Sequence, residues 1–225
     1  MKPLHALILC LLLMTGCAGS LELKPEEIVP VSPATAAELL NGQWNAVPAH
    51  YRAQLTMVMR YDGVKMPLMA LLDLDYPAGK MRLVGFAESG LNLFDIETEG
   101  WNTRLLGSAE VFRNASGFSD FIGEFLGAVF LAPPPRGNDR IQTLTDRHIV
   151  SRQEGEKTRH LVFAGDGRLL AESLWSGEGG SKVRFSAHRE MAGLTVPGMA
   201  EFDDGSGRGG MISRVEWLKR VENGP

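Results

Sequence analysis

Hydrophobic and polar residues alternate along much of the chain from Tyr51 onward. Between Tyr51 and Met59 every second residue is apolar, and the residues between them are mostly polar. A period of two places successive side chains on opposite faces of a strand, so this segment predicts a half-buried antiparallel strand. The dipeptide Asp62-Gly63 follows it and favours a hairpin turn.

The same alternation continues after this turn. It predicts a return strand over residues 66–74, a third strand from Met81 and a fourth over about 91–98. After residue 145 it predicts six more strands, near residues 148–152, 159–164, 168–175, 182–188, 198–202 and 211–219. About ten short antiparallel strands joined by tight turns predict a mainly β fold with α structure (α+β), built as a single curved antiparallel sheet or an incomplete β-barrel.

One segment has the spacing of a helix instead. Apolar residues recur every three or four positions over 118–130, which predicts an amphipathic helix with Ser116 as its N-cap. The run Pro133-Pro134-Pro135 prevents the helix from continuing. We expect this helix to cover the sheet as a lid, because Gly123 and Gly127 lower its intrinsic stability and leave packing to hold it. A brief first helix is predicted over residues 35–40.

Methionine is concentrated in the first three predicted strands, which contain five of the ten methionines. Methionine side chains adapt to irregular apolar sites. Two interpretations remain open: an ordinary core, or an apolar pocket between sheet and helix that accepts hydrocarbon chains of variable shape. The candidate ligand-binding residues are Leu55, Met57, Met59, Met66, Leu68, Leu72, Met81, Leu83, Phe118, Phe121, Ile122 and Phe125.

The first sixteen residues have the features of an export signal. Lys2 supplies a positive charge, and the apolar run over 6–14 is too short to span a bilayer. Segment 13–17, LMTGC, resembles the lipobox of bacterial lipoproteins. That resemblance implies cleavage before Cys17 and attachment of a diacylglycerol thioether and a palmitate-like acyl chain to Cys17. The alternatives are an ordinary secretory signal with an incidental cysteine and an uncleaved anchor.

These features predict three parts: a signal peptide over 1–16, a lipidated N-terminus and tether over 17–34, and one β domain over 35–225. Because Cys10 lies within the signal, Cys17 is the only cysteine of the predicted mature chain, which excludes an internal disulfide. Ala18 follows Cys17, and in Gram-negative lipoproteins a residue other than aspartate there implies transport to the outer membrane. The predicted location is therefore the periplasmic face of the outer membrane.

The net charge and the absence of known catalytic motifs argue against several classes of function. Without Lys2 the predicted mature chain has 22 Lys and Arg against 27 Asp and Glu, a formal charge of −5, and no basic patch, so we expect no nucleic-acid partner. There is no G-x-S-x-G motif and no H-x-x-x-H or H-E-x-x-H arrangement. The sequence therefore predicts a protein that is not an enzyme and uses no cofactor or metal.

The order of elements resembles the LolA and LolB family, the periplasmic carrier and outer-membrane receptor of lipoproteins, or an uncharacterised lipoprotein family of similar fold. The resemblance is carried by the lipobox, the hairpin over 51–74, the run over 81–85 leading to 91–94, the helix over 118–130 followed by prolines, and a last strand ending in Trp217. It implies an incomplete barrel lidded by helices. In the receptor branch a hydrophobic loop protrudes between two early strands, whereas segment 87–90 here is polar apart from Ala87.

The resemblance also implies a function and partners. We expect a protein anchored to the membrane by its lipid, which binds an acyl chain or the lipid part of lipoprotein cargo and exchanges it with a periplasmic carrier protein. Two alternatives remain: a structural or assembly subunit of an envelope complex, and, third, an envelope hydrolase.

Overall fold

The computed structural model describes residues 33–100, 102–176 and 179–221. The predictions for the signal peptide, for Cys17 and for nearly all of the tether lie outside the described residues. The described residues form three short α-helices, α1 (Ala36–Asn41), α2 (Glu110–Arg113) and α3 (Phe118–Phe130), and one turn of 3-10 helix over Trp44–Ala46. No described helix is both long enough and apolar enough to cross a membrane.

Fourteen strands are described, and twelve of them form one sheet. The strands are β1 (His50–Tyr61), β2 (Val64–Asp75), β3 (Lys80–Phe86), β4 (Asn92–Glu99), β5 (Asn102–Ser108), β6 (Arg140–Thr143), β7 (Arg147–Glu154), β8 (Lys157–Ala164), β9 (Leu169–Ser176), β10 (Gly179–Ser186), β11 (Arg189–Met191), β12 (Leu194–Val196), β13 (Met199–Asp203) and β14 (Gly209–Arg220).

The sheet has the order β5-β4-β3-β2-β1-β14-β13-β10-β9-β8-β7-β6, and β11 and β12 form a separate hairpin. Its neighbouring strands are antiparallel, and the sheet curves without closing into a barrel. Strand β1 lies centrally because the last strand, β14, pairs with it along nearly its whole length. The edges are β5 and β6, so the barrel remains open between the two halves of the chain.

The predicted mainly β fold with one curved sheet is confirmed. In β1 the alternate residues from Tyr51 to Tyr61 are buried on the concave face, as the period of two predicts. Two features were not predicted: β5 and β6, whose short sequences are mostly exposed and lack clear alternation, and the β11–β12 hairpin. They bring the number of strands above the predicted ten.

Helix α3 lies over the concave face, and its buried residues include Phe118, Phe121, Ile122 and Phe125. The predicted N-cap, Ser116, is wrong. The cap position is Gly117, which has φ of 75° and makes no side-chain capping bond. A left-handed residue suits glycine because it has no Cβ.

The short first helix is confirmed as α1, which starts one residue after Thr35. The Thr35 hydroxyl accepts a hydrogen bond from the Glu38 amide at 3.2 Å, and the Glu38 carboxylate accepts one from the Thr35 amide at 2.7 Å. This reciprocal capping box satisfies two amides that would otherwise lack a partner.

Candidate functional site

The predicted ligand-binding residues lie together on the concave face and on α3. All except Met66, which is partly buried, have exposures of 5 % or less and belong to one continuous hydrophobic core. The buried set is Leu55, Met57, Met59, Leu68, Leu72, Met81, Leu83, Phe118, Phe121, Ile122 and Phe125. In the state described, the side chains of α3 belong to the same packed core as these methionines and leucines.

Aromatic side chains fix the position of α3. Phe118 stacks on Phe112 with ring centroids 4.5 Å apart, and the Phe121 ring lies 5.0 Å from that of Tyr61. Further along the helix, Phe125 meets Phe202 of β13 edge-on at 5.9 Å. Such pairs add about 0.5–1.5 kcal/mol each to the burial of apolar area. The helix is therefore bound to both the early and the late strands of the sheet.

The approach of α3 to the edge strand β5 depends on one glycine. A Cβ placed on Gly123 would lie 2.0 Å from the Thr103 hydroxyl oxygen and 3.1 Å from the Thr103 Cβ. Any larger residue there would push the helix away from β5. Gly123 thus allows α3 to pack closely against β5. As a glycine it also lowers the intrinsic stability of the helix.

A pocket of about 730 Å³ lies where the sheet fails to close, and we call it the seam pocket. One side is formed by β5 and α3, and the other by the chain after α3 and by β7, β8 and β9. Its lining residues are Thr103, Asp120, Gly123, Glu124, Leu131, Ala132, Pro133, Pro134, Arg136, Arg152, Glu154, Gly155, Lys157, Arg159 and Leu174. The pocket therefore combines apolar and charged surface beside the lid helix.

Arg152 of β7 fastens the proline-rich segment to the sheet. Its Nε and Nη2 donate to the two carboxylate oxygens of Asp139 at 2.6 and 2.8 Å, and Nη2 also donates to the Pro134 carbonyl at 2.7 Å. The side chain is only 1 % exposed. Its Nη1 has no hydrogen-bond partner among the described residues, and the nearest carboxylate oxygen, of Glu154, is 3.7 Å away.

A second buried arginine, Arg159 of β8, pairs with Glu172 of β9, and both side chains are 5 % exposed. Arg159 Nε also donates to Glu154 at 3.2 Å. Burial raises the pKa of Glu172 to about 7, and the positive charge of Arg159 only partly opposes this effect. Burying a charge is unfavourable unless it is well paired, so this network is an unusual component of a concave face.

The seam pocket was not predicted, although the sequence contains a signal for it. Arg152 and Arg159 occupy inward-facing positions of their strands, in phase with Val150 and Leu161. Glu172 is the register partner of Leu161 and shares its face. Charged residues at positions where the alternation demands apolar ones therefore mark the network.

Catalytic and metal-binding arrangements are absent or incomplete among the described residues. No group of three or more His, Cys, Asp or Glu suited to a metal occurs among the described residues. Ser151 and His160 are 2.9 Å apart across β7 and β8, but within the described part of the chain no carboxylate hydrogen-bonds to His160. His50 pairs with Asp73 at 2.6 Å, and no serine in the described ranges hydrogen-bonds to His50.

Comparisons with known proteins identify the fold. No protein-family model matches the chain, and no curated protein matches its sequence. A LolA superfamily protein from Nitrosomonas europaea is similar in structure, with a TM-score of 0.54 and 11% identity, over 86% of this chain and 96% of that one.

Two further structures overlap less well. A domain described as an outer-membrane lipoprotein-sorting protein from Vibrio parahaemolyticus has a TM-score of 0.49 and 7% identity, over 84% of this chain and 91% of that one. A DUF1329 family protein from Desulfovibrio piger has a TM-score of 0.48 and 12% identity, over 84% and 93%. The similarity to the Nitrosomonas europaea protein confirms that this chain has a LolA-like fold, an open antiparallel barrel with a helix over its concave face.

Proposed function

We propose that this protein is a lipid-anchored, non-catalytic binding protein of the bacterial envelope, which takes an acyl chain or the lipid part of a lipoprotein between α3 and the concave face. One observation carries the proposal: the sheet is open at the seam pocket, and the surface behind α3 is a continuous apolar layer rich in methionine and phenylalanine. A closed barrel with a solid core would need neither the gap nor the helix across it.

The LolA-like fold supports this function, because the family that the sequence resembles carries lipoproteins across the periplasm and receives them at the outer membrane. In the proposed mechanism the ligand enters through the seam pocket. It replaces part of the contact between α3 and the sheet, so that apolar surface remains covered in both states. Methionine suits such exchange because its side chain adjusts to differently shaped neighbours.

A disulfide between α3 and β5 tests the mechanism. In the Thr103→Cys/Gly123→Cys variant the Cβ at position 123 would lie 3.1 Å from the Cβ at position 103 in the present arrangement. Disulfides span roughly 3.5–4.5 Å between Cβ atoms, so the outward shift of α3 that a side chain at position 123 requires also makes room for the bond. The lipoprotein is anchored in vesicles that contain a photoreactive diacylglycerol, and labelled peptides are mapped after illumination. We expect labelling of α3 and β1–β3 in the reduced variant and its loss on oxidation.

A matched control carries a disulfide that does not touch the helix. Thr56→Cys/Met69→Cys joins register partners on the convex face of β1 and β2. Oxidation of this control should leave interior labelling unchanged. If wild-type protein labels only on its outer surface, or if the locked helix labels as strongly as the reduced one, the proposed binding site is wrong.

The membrane anchor is proposed from the lipobox alone and is tested separately. Cys17→Ser removes the thiol that the thioether requires, so labelled palmitate should enter the wild type only. The Ser variant should remain unprocessed and lose stable outer-membrane attachment. Equal partitioning of both proteins with outer-membrane fractions would show that lipidation of Cys17 is not the anchor.

A further inference from the structure

The seam pocket has two walls of opposite charge. On one wall Asp120 and Glu124 of α3 are exposed and one helical turn apart, and we call this pair the acidic ridge. On the other wall lie Arg136, Lys157 and the buried Arg152. Among the described residues no ion pair joins the two walls, so the acidic ridge on one side and the exposed Arg136 and Lys157 on the other present their charges to the space between them.

The donors of the second wall are only partly used by the protein. Arg159 already forms ion pairs with Glu154 and Glu172. In contrast, the side chains of Arg136 and Lys157 make no ion pair in the described part of the chain, and Arg152 Nη1 has no hydrogen-bond partner there. Arg136 and Lys157 are exposed, so an anionic oxygen in the pocket can accept hydrogen bonds from both, whereas Arg152 Nη1 is closed off from the pocket and adds only its positive charge behind them.

Apolar residues complete the pocket. Leu131, Ala132 and Leu174 line the same space, and α3 with its buried phenylalanines forms the adjoining boundary. An occupant that matches this surface has an anionic group, a cationic group a few bonds away and an attached hydrocarbon part. A purely anionic headgroup would be repelled by the acidic ridge, and a purely cationic one would be repelled by Arg136 and Lys157.

We propose that the seam pocket binds the headgroup of a zwitterionic phospholipid, with the phosphate on the arginine and lysine wall and the ammonium on the acidic ridge. The acyl chains then extend between α3 and the concave face, so the inference rests on the proposed function and specifies its ligand class. The headgroup joins the two walls across the open seam and holds the loaded state together.

The test compares headgroups on identical chains. The full lipoprotein is anchored in vesicles that contain photoreactive phosphatidylethanolamine, phosphatidylglycerol or diacylglycerol of equal acyl length, and the yield of interior labelling is measured. Wild type should label most strongly with phosphatidylethanolamine. In Asp120→Asn/Glu124→Gln the ratio of phosphatidylethanolamine to phosphatidylglycerol labelling should fall roughly tenfold, the factor expected from losing one charge-assisted hydrogen bond.

The opposite wall gives a different pattern. Arg136→Gln/Lys157→Gln should lower labelling by both phospholipids and leave diacylglycerol labelling unchanged. Lys65→Gln and Glu88→Gln, which are exposed charges away from the pocket, serve as matched controls and should change no ratio. Free phosphoethanolamine at the same concentration should not displace the lipid, because it lacks the apolar part.

Two outcomes would overturn the inference in distinguishable ways. If diacylglycerol labels the interior but wild type shows no headgroup preference, or the acidic-ridge variant keeps the wild-type ratio, the headgroup site is wrong and the proposed function stands. If no lipid labels the interior, the proposed function is wrong and the headgroup site fails with it.

Discussion

The two halves of the concave face differ in chemistry although they belong to one sheet. Strands β1 to β3 present buried tyrosine, alanine, leucine and methionine, including Leu55, Met57 and Leu83. Strands β7 to β9 present valine, leucine and phenylalanine together with the buried Arg152, Arg159 and Glu172. Stability alone is enough to explain the apolar residues of the first half, because burying apolar surface drives folding.

The second half needs a further reason. Replacing a buried ion network by well-packed apolar residues is often neutral or stabilising, so stability does not by itself account for retaining charges there. The network lies beside the only long helix described and at the open seam. The comparison thus separates an apolar half that stabilises the fold and, as we propose, covers the acyl chains from a charged half that we propose recognises the headgroup, and four predictions test this division.

The largest effect is expected where α3 meets the core. Phe121 and Phe125 are 5 % and 0 % exposed, so Phe121→Ala/Phe125→Ala should lower the free energy of unfolding by about 3–5 kcal/mol per side chain. A thermal or denaturant melt measures the loss, with Val111→Ala on exposed α2 as the control. A near-normal melt would mean that the helix contributes little to stability and is only a loosely held lid.

Removing one partner of the ion network should have the next largest effect, whereas removing both partners together should not destabilise the domain. Arg159→Leu leaves the Glu172 carboxyl buried without its partner and should destabilise the domain by about 3–5 kcal/mol. Arg159→Leu/Glu172→Leu removes both charges and should restore wild-type stability or exceed it. Denaturant melts of the two variants give the comparison. If the double variant is as unstable as the single one, the network is required for folding and the division between the halves fails.

The pH dependence of stability should report on the same network. Burial raises the pKa of Glu172 to about 7, so the folded state holds this proton more tightly than the unfolded chain, in which the pKa of a glutamate is about 4.5. Stability from this group is therefore fully present below about pH 4.5 and is lost as pH rises through about 7, by at most about 3 kcal/mol. Glu172→Gln should abolish this loss.

The measurement is the difference between wild type and Glu172→Gln in melts from pH 5 to 8. Burial lowers the pKa of His188, so that residue contributes the opposite slope as pH falls below its unfolded value. Because both proteins contain His188, its effect cancels in the difference. If the stability of the two proteins changes with pH in parallel, burial does not raise the pKa of the Glu172 carboxyl.

The sequence predicted the apolar half well and the charged half poorly, for physical reasons. Alternation is reliable where one face is buried and the other is wet, so the inward residues of β1 were identified correctly. The short edge strands β5 and β6 are exposed and lack that pattern. The out-of-place charges mark a buried network, but the pocket itself brings Thr103, Glu124 and Arg152 together from distant segments, and local patterns do not show which segments meet.

The smallest effect is expected on the convex face of the same early strands. Met69 of β2 is 43% exposed, whereas Met57 of β1 is fully buried on the concave side. Met69→Ala should therefore change the free energy of unfolding by less than about 0.5 kcal/mol, and Met57→Ala should lower it by about 2–5 kcal/mol. Both residues are methionines on neighbouring strands, so denaturant melts of the two variants compare the stability contributed by the concave face with that contributed by the convex face. A loss at Met69 comparable to that at Met57 would indicate that the convex surface is also covered in solution, and the concave face would then no longer be the single apolar layer of the sheet.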